Sequence, residues 1–466
     1  MMGWRRRART KTARPGCGDC DLNAGRGAGA CPHAGQGVGR IRSGEVGAPG
    51  SWVRRPGCLR RCGCAGFVSR ACMRIVQIIL SKGFRGAERH VAELAMAQAR
   101  HHDVLLIVRA DCADAGGRSI RDQLPPSGAL PGLRVVTVGP GLMAPGIWGH
   151  IRRFRPDVIH CHGGRAGQTV GRLRPLLPGR PSLLATMHPD YRRRWYQNHD
   201  AVVATTDWQA QEAKLGGFEG RIARVNLWRQ AHPVPHAGRI AALRAEMGAE
   251  LPGDVLALGV GPLIREKGFD LLVSAVRGLD HPHLKLAIVG DGPEMGALRQ
   301  QATDCPAIRF LGFRGDVKDF YHAADLFCSP SRFEPFGLVF LEALDAGVPV
   351  VASASEGART ILQPPSQDGG DAFSAADGAR TGNGLALAPL AALGDADDLA
   401  EQLSVALEAV AQARGAGLRL RHRPELPAYN QATSLEALER LYAELVASAE
   451  AAAAAALKAG APAPGH

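Results

Sequence analysis

The sequence predicts an α/β protein made of two Rossmann-like, doubly wound domains facing a central cleft. Three observations predict it. From Met73 onward, short apolar β-branched runs alternate with stretches of helical period. Many of these runs end in glycine- or histidine-bearing turns, where sheets of this kind gather ligands. One Pro-, His- and Asn-rich stretch, 225–253, breaks the alternation and reads as an inter-domain linker.

A chain of 466 residues suits two or three domains. The net charge of +12 resembles a nucleic-acid signal until it is mapped. Residues 1–72 carry +11, residues 73–225 carry +10 and residues 226–466 carry −9. The body is nearly neutral but polarised, so no nucleic-acid partner is expected. A basic first half suits an anionic membrane surface or a phosphorylated acceptor. Seven of the eleven cysteines fall in residues 1–72, and the other four are scattered. That is no disulfide framework and points to a reducing, cytoplasmic setting, with peripheral contact at the inner face of the membrane as a refinement. No apolar run of about 18 residues is present, so no transmembrane helix is expected.

Residues 1–72 are rich in Arg, Gly, Cys and Pro without periodicity and read as a disordered leader or an over-extended gene model. Cys17, Cys20, Cys31, His33, Cys58, Cys62 and Cys64 match no regular zinc spacing. Met73 is the expected native start.

The first domain, 73–225, opens with a strand at Ile75–Leu80. A loop with Gly83 and Gly86 leads into a helix ending near Arg100, and Val104–Val108 completes a βαβ unit. Its glycines would let the backbone approach a ligand phosphate, although a plain tight turn reads nearly as well. Strands follow at Arg134–Val138 and Pro156–His160, the second delivering His160, His162 and Gly163-Gly164 to a strand end. A strand at Ser182–Thr186 delivers His188 in the same way. Arg192, Arg193 and Arg194 precede Trp195 and Tyr196 and form the expected acceptor or membrane face. A strand at Asp200–Thr205 and a helix to Leu215 close the domain.

The linker, 226–253, holds a short helix near Arg239–Met247. In the second domain, 254–430, strands at Val255–Val260, Leu284–Val289, Ile308–Leu311 and Leu326–Cys328 alternate with helices. Asp395 reads as the cap of a helix to Ala413. Asp395-Ala-Asp397 lies at that predicted helix start, far from the stretch described next, and is not read as a metal site. Residues 364–384 read as a mobile loop. A terminal helix at 431–448 and an Ala-rich, frayed tail at 449–466 end the chain.

The chemistry concentrates in Ser329–Ser353, SPSRFEPFGLVFLEALDAGVPVVAS. A helix is expected from Phe336 to Asp345 and a buried strand at Val348–Ala352. Glu334 then stands just before the helix and Glu342 inside it, with the free N–H groups of the helix start between them. Two carboxylates around a phosphate cradle suit a nucleotide-sugar.

This stretch resembles the signature of retaining glycosyltransferase family 4, and lesser segments agree in order from Met73 to residue 448: Gly86-Ala-Glu88, Asp157–His162, Thr186–His188, Ala201–Trp208, Gly261–Gly268, Gly290–Pro293 and Gly312–Arg314. The resemblance implies the GT-B fold, with a nucleotide-sugar donor held by the second domain, an acceptor held by the first, and a last helix crossing back. It implies catalytic roles for Glu334, His188 and Lys267. Donor contacts are implied for Arg265, Lys267, Gly312, Phe313, Arg314, Glu334, Phe336, Gly337, Leu338 and Glu342. Glu334 would meet the sugar, Glu342 the ribose, Lys267 the diphosphate, and His188 would sit above the sugar.

Elementary chemistry agrees. Breaking the anomeric carbon–diphosphate bond gathers negative charge on the leaving group, and Lys267, Arg265 and a helix start are there to meet it. A carboxylate such as Glu334 stabilises an oxocarbenium-like sugar. Front-face attack would retain configuration without a dedicated base, and no metal or other cofactor is required. The sequence departs from the family pattern in two places. Pro262 stands where an Arg is usual, so phosphate binding falls to Arg265 or to Lys267 alone. Gly357 is followed by Ala358-Arg359-Thr360 where a Glu is often found.

The expected activity is transfer of a hexose or heptose, with UDP as the commonest carrier, to a cell-envelope glycan or lipid-linked acceptor such as lipopolysaccharide. A nucleotide-sugar epimerase on the same fold and a degenerate sugar-nucleotide-binding module are the alternatives.

Overall fold

The computed structural model describes residues 72–113, 116–141, 143–363 and 389–458. The expected leader (apart from Cys72), its cysteine cluster, the 364–384 loop and the last eight residues of the tail lie outside the described residues.

The first domain runs β1 (Arg74–Ile79), α1 (Gly86–Gln98), β2 (Asp103–Arg109), β3 (Leu133–Val138), α2 (Met143–Phe154), β4 (Val158–His162), α3 (Gly163–Leu173), β5 (Ser182–Met187), α4 (Arg193–Tyr196), β6 (Ala201–Ala204), α5 (Asp207–Leu215) and β7 (Arg221–Arg224). The second runs α6 (Ala237–Met247), β8 (Val255–Val260), α7 (Phe269–Leu279), β9 (Leu284–Val289), α8 (Met295–Gln301), β10 (Ile308–Gly312), α9 (Val317–Ala323), β11 (Leu326–Ser329), α10 (Leu338–Asp345), β12 (Val350–Ala352), α11 (Glu356–Leu362) and α12 (Ala396–Gly415). The closing helix is α13 (Gln431–Lys458).

Both sheets are parallel. Their strand orders are β3-β2-β1-β4-β5-β6-β7 and β10-β9-β8-β11-β12. Helices cover both faces, which is why β4 and β5 are buried along their whole length, His160 and His162 of β4 included. In each sheet the winding direction reverses once, between β1 and β4 and between β8 and β11. A crevice opens at the carboxyl ends of the strands flanking such a reversal. The loop after β1 carries Gly83, and Gly163-Gly164 open α3 directly after β4. The loops after β8 and β11 carry Lys267 and Glu334.

Several boundaries differ from the sequence expectation. The signature helix starts at Leu338 rather than Phe336, because Gly337 takes a left-handed φ of 87° as its N-cap. The next strand is shorter by two residues, since Val348 N–H still bonds back to Ala343 O and Pro349 lacks the donor a strand needs. The linker helix α6 is an integral part of the second domain, with Leu243 and Met247 buried in its core. The last helix does not fray at Ser448 but continues to Lys458 through the alanine run, in keeping with alanine's helix propensity.

α13 returns to the first domain. Leu438, Leu441 and Tyr442 are buried among residues of β1, α1, β2 and β5. Each such burial contributes roughly 1.5–3 kcal/mol, so the end of the chain is anchored by the start of the fold.

Helix α3 was not foreseen, because GGRAGQTVGRL is poor in helix formers. Its glycines let α4 approach. A Cβ on Gly164 would lie 2.3 Å from the Trp195 ring, so this close contact admits no larger residue without a shift.

Candidate functional site

Glu334 and Lys267 meet directly: Lys267 Nζ donates to Glu334 Oε2. Lys267 ends a short 3-10 turn, Arg265–Lys267, after β8, and Gly268 follows it with a left-handed φ of 65°. Glu334 lies in the loop after β11. That loop is pinned by the backbone bond from Gly357 N–H to Glu334 O (2.8 Å) and by Phe333 N–H to Glu266 O (3.0 Å). A Cβ on Gly357 would come within 2.2 Å of Phe336 O, so the start of α11 needs a glycine to sit against this corner. The ion pair places a cation and a carboxylate side by side at the second sheet's point of reversal.

The start of α10 adds positive potential. Gly337 offers no side-chain cap, and no acidic residue stands in the first turn. Phe336 is buried in the domain core, and Leu338 packs at its edge.

Glu342, one turn into α10, is gripped from both domains. Arg89 Nη1 of α1 donates to its Oε1 at 2.8 Å, and Tyr321 OH donates to its Oε2 at 3.2 Å. Burial beside this carboxylate pushes the Tyr321 phenol well above its ordinary range, so the hydroxyl stays a donor. The two domains also touch where Arg118 lies over the Phe313 ring, 4.8 Å from its centroid, and where Trp208 meets Phe333 edge-on at 6.0 Å. A Cβ on Gly86 would lie 2.9 Å from Leu338, which brings the start of α1 against the start of α10.

The other expected donor residues separate into two groups. Gly312 has the left-handed φ of 68° that turns the chain, and Phe313 is partly exposed beneath Arg118. Arg314, by contrast, is taken up within its domain by Asp316 at 2.9 Å and Glu246 at 2.5 Å. Arg265 is exposed and borders a separate depression of about 210 Å³ with Asp270, Glu294 and Arg332. Only Lys267 of the two basic residues reaches Glu334. The Arg192–Arg194 run sits at α4. Arg192 and Arg194 lie over Trp195, and Arg192 pairs with Asp190 at 3.0 Å. Among the described residues no hydrogen bond or ion pair joins that run to the glutamates.

In the first domain a cavity of about 430 Å³ opens at the ends of β1 and β4. Lys82, Arg85 and Arg165 line it together with Gly83 and Gly163-Gly164. These three cations have no ion-pair partner among the described residues, and the one lining carboxylate, Glu88, is occupied by Arg85 N–H at 2.7 Å.

His188 stands at the end of β5 beside His90 and His162, and His160 stacks on His162 with ring centroids 4.2 Å apart. Burial, reinforced by repulsion from neighbouring imidazoles, keeps this cluster neutral. His160 is pushed down to about 3 and burial alone lowers His188 to about 4, while His90 and His162 fall well below their ordinary value. Among the described residues no three His, Cys, Asp or Glu side chains converge as a metal site. Asp395 caps α12 instead, accepting from Asp397 and Asp398 N–H at 3.0 Å.

Two family models match this architecture. Residues 84–226 match Glycosyltransferase Family 4, and residues 248–369 match Glycosyl transferases group 1. The chain belongs to the family 4 glycosyltransferases. The LpsE lipopolysaccharide core biosynthesis glycosyltransferase of Rhizobium meliloti is 30% identical over 217 residues, 46% of this chain and 60% of LpsE. The sulfoquinovosyl transferase SQD2 of Arabidopsis thaliana is 28% identical over 253 residues, 50% of this chain and 49% of SQD2. The chain therefore spans between half and three fifths of these glycosyltransferases. The GT-B fold is shared with Anabaena HepE, solved with UDP and glucose, at a TM-score of 0.59 and 20% identity over 81% of this chain and all of HepE. It is also shared with the outer core galactosyltransferase WaaB, at 0.51 and 14% over 80% of this chain and 97% of WaaB.

Sequence reasoning missed Arg89, Arg118 and Tyr321. Arg89 and Glu342 are separated by 253 positions, and nothing local in either segment pairs them.

Proposed function

We propose that this glycosyltransferase moves a hexose or heptose from a UDP-sugar to a glycan or lipid-linked acceptor of the cell envelope, with retention of configuration. The observation that carries the reading is the Lys267–Glu334 pair beside the uncapped start of α10, with Glu342 one turn further on. A diphosphate leaving group set there meets one ammonium and a helix start, both fixed before the reaction. On this reading they carry its developing charge without a metal ion. On the same reading Glu334 would stabilise the positive charge of the anomeric centre joined to that diphosphate. Front-face attack, in which the departing phosphate oxygen takes the acceptor proton, needs no further base.

Lipopolysaccharide core is the acceptor class favoured by the similarity to LpsE. The cavity lined by Lys82, Arg85 and Arg165 supports an acceptor that bears a phosphate or carboxylate. Work at the cytoplasmic face of the membrane fits such an acceptor. No described helix is long and apolar enough to cross a membrane.

The test is a thermal-shift screen of the full chain against UDP-, GDP- and ADP-sugars, followed by transfer assays with the stabilising donor. A ligand that binds only the folded state raises its melting temperature. Stabilisation by a UDP-sugar, lost in Lys267→Ala, is expected; a chain indifferent to every nucleotide-sugar overturns the reading.

A further inference from the structure

Behind His188 lies a line of buried polar side chains that donor binding does not explain. Gln77 on β1 is fully buried, as are His160, Gln98 and Tyr442 of α13. Gln77 Nε2 donates to Gln98 Oε1 at 2.7 Å and to Tyr442 OH at 3.3 Å, which uses both amide hydrogens. Tyr442 OH meets His160 Nδ1 at 2.6 Å, and with the Gln77 amide in this sense its hydrogen is free to go to that nitrogen. His160 then carries its proton on Nε2 and donates to Thr186 Oγ1 at 2.7 Å.

The other side of Gln77 sets the second branch. Its Oε1 can only accept, and it lies 2.7 Å from His162 Nε2. That nitrogen must therefore be protonated. A neutral imidazole has one hydrogen, so His162 Nδ1 is an acceptor, and it faces His188 Nε2 at 3.4 Å. His188 in turn carries its proton on Nε2.

We infer that Gln77, His162 and Tyr442 are positioning residues that hold His188 as its Nε2–H tautomer, leaving Nδ1 as a hydrogen-bond acceptor. A bare imidazole nitrogen takes a hydroxyl proton and has nothing to offer a carbonyl, carboxylate or phosphate oxygen. His188 thus orients a hydroxyl-bearing group of the transferred sugar or of the acceptor. Tyr442 brings the last helix into this arrangement, so a residue of α13 shares a hydrogen-bonded line with a ring at the end of β5. Reversing the Gln77 amide would turn every donor on the line into an acceptor and put the His188 proton on Nδ1, so the two arrangements are distinguishable.

The consequence for transfer rests on the function proposed above, whereas the tautomer does not. Long-range ¹H–¹⁵N spectra of the full chain with ¹⁵N-histidine, taken near neutral pH and assigned by the signals lost in His188→Asn and His162→Asn, read it directly. The expected wild-type pattern for both rings is a protonated Nε2 and an unprotonated Nδ1. Gln77→Leu removes the acceptor and is expected to mix the His188 tautomers and to lower kcat about tenfold, with donor KM within twofold. A wild-type His188 proton on Nδ1, or a tautomer unchanged in Gln77→Leu, overturns the inference. Should Gln77→Leu not fold, the wild-type spectrum decides alone. A chain with the expected tautomer but no transfer from any donor defeats the functional reading and leaves this one standing.

Discussion

Arg89 and Glu342 form an ion pair 2.8 Å long between the first helix of one domain and the signature helix of the other. The carboxylate is the one expected to meet the ribose of the donor, and on that expectation domain contact and nucleotide binding would share a group. Both side chains are partly exposed, which weakens the pair relative to a buried one.

Removing Arg89 leaves Glu342 held by Tyr321 alone and adds an uncompensated negative charge near an anionic ligand. Arg89→Ala is expected to raise donor KM about fivefold, with kcat within about twofold, as suits a loss of roughly 1 kcal/mol of ground-state binding. Steady-state kinetics at varied donor concentration measure it. A donor KM equal to wild type would show that the pair is incidental to nucleotide binding.

The two glutamates should fail differently. On the proposed function Glu334 and Lys267 face the bond that breaks, so Glu334→Ala and Lys267→Ala are each expected to lower kcat by about two to three orders of magnitude. Glu342→Ala should act mainly on KM. Circular dichroism checks that each variant stays folded. Substantial turnover in Lys267→Ala would remove the charge partner on which the mechanism depends.

The histidine cluster makes stability depend on pH. His160 is pushed down to about 3 in the folded protein and His188 to about 4, against an ordinary value of 6.5. The unfolded chain therefore binds protons that the folded chain refuses. Their contribution to stability is complete above pH 6.5 and is lost as pH falls toward 4, by up to about 1.4 kcal/mol per pH unit for each ring. Melting temperature should fall steeply between pH 6.5 and 4, and less steeply in His160→Gln. Equal slopes in the two proteins would mean that His160 is not one of the groups responsible.

Asp325 organises the underside of the second domain. It is nearly buried, accepts from Leu256 N–H at 2.9 Å, and faces Arg244 at 3.1 Å, Arg414 at 2.9 Å and Arg419 at 3.4 Å. Its removal leaves three guanidinium groups around an apolar strand end. Asp325→Ala is expected to cost about 3 kcal/mol by chemical denaturation, with donor KM of the folded fraction unchanged. A midpoint like that of wild type would mean that water replaces the carboxylate.

Much of this was legible in the sequence because it is local. Strands such as Leu284–Val289 are short apolar runs with turn residues at both ends, and a stretch of that kind has few other ways to bury its surface. The Asp395 cap was legible for the same reason. Helix α3 was not, because its glycines are poor helix formers taken up for contact with α4, and propensity is blind to a partner helix. Arg314 was placed with the donor contacts on its position after Gly312, yet its guanidinium binds Asp316 and Glu246. A motif records where a side chain starts and not where it points.

By itself the sequence determined the two α/β domains, the carboxylate–helix start–carboxylate order of Ser329–Ser353, and Lys267 as a separate cation, since each depends on residues within a turn or two of one another. Only the tertiary structure decided which charges meet. It set Lys267 on Glu334, closed Arg89 onto Glu342 from the other domain, and buried Tyr442 against His160 across 282 positions of chain. Those pairings arise from packing two sheets and a returning helix. A hydrogen bond reaches about 3 Å, so its partners are settled only after the fold has brought them that close.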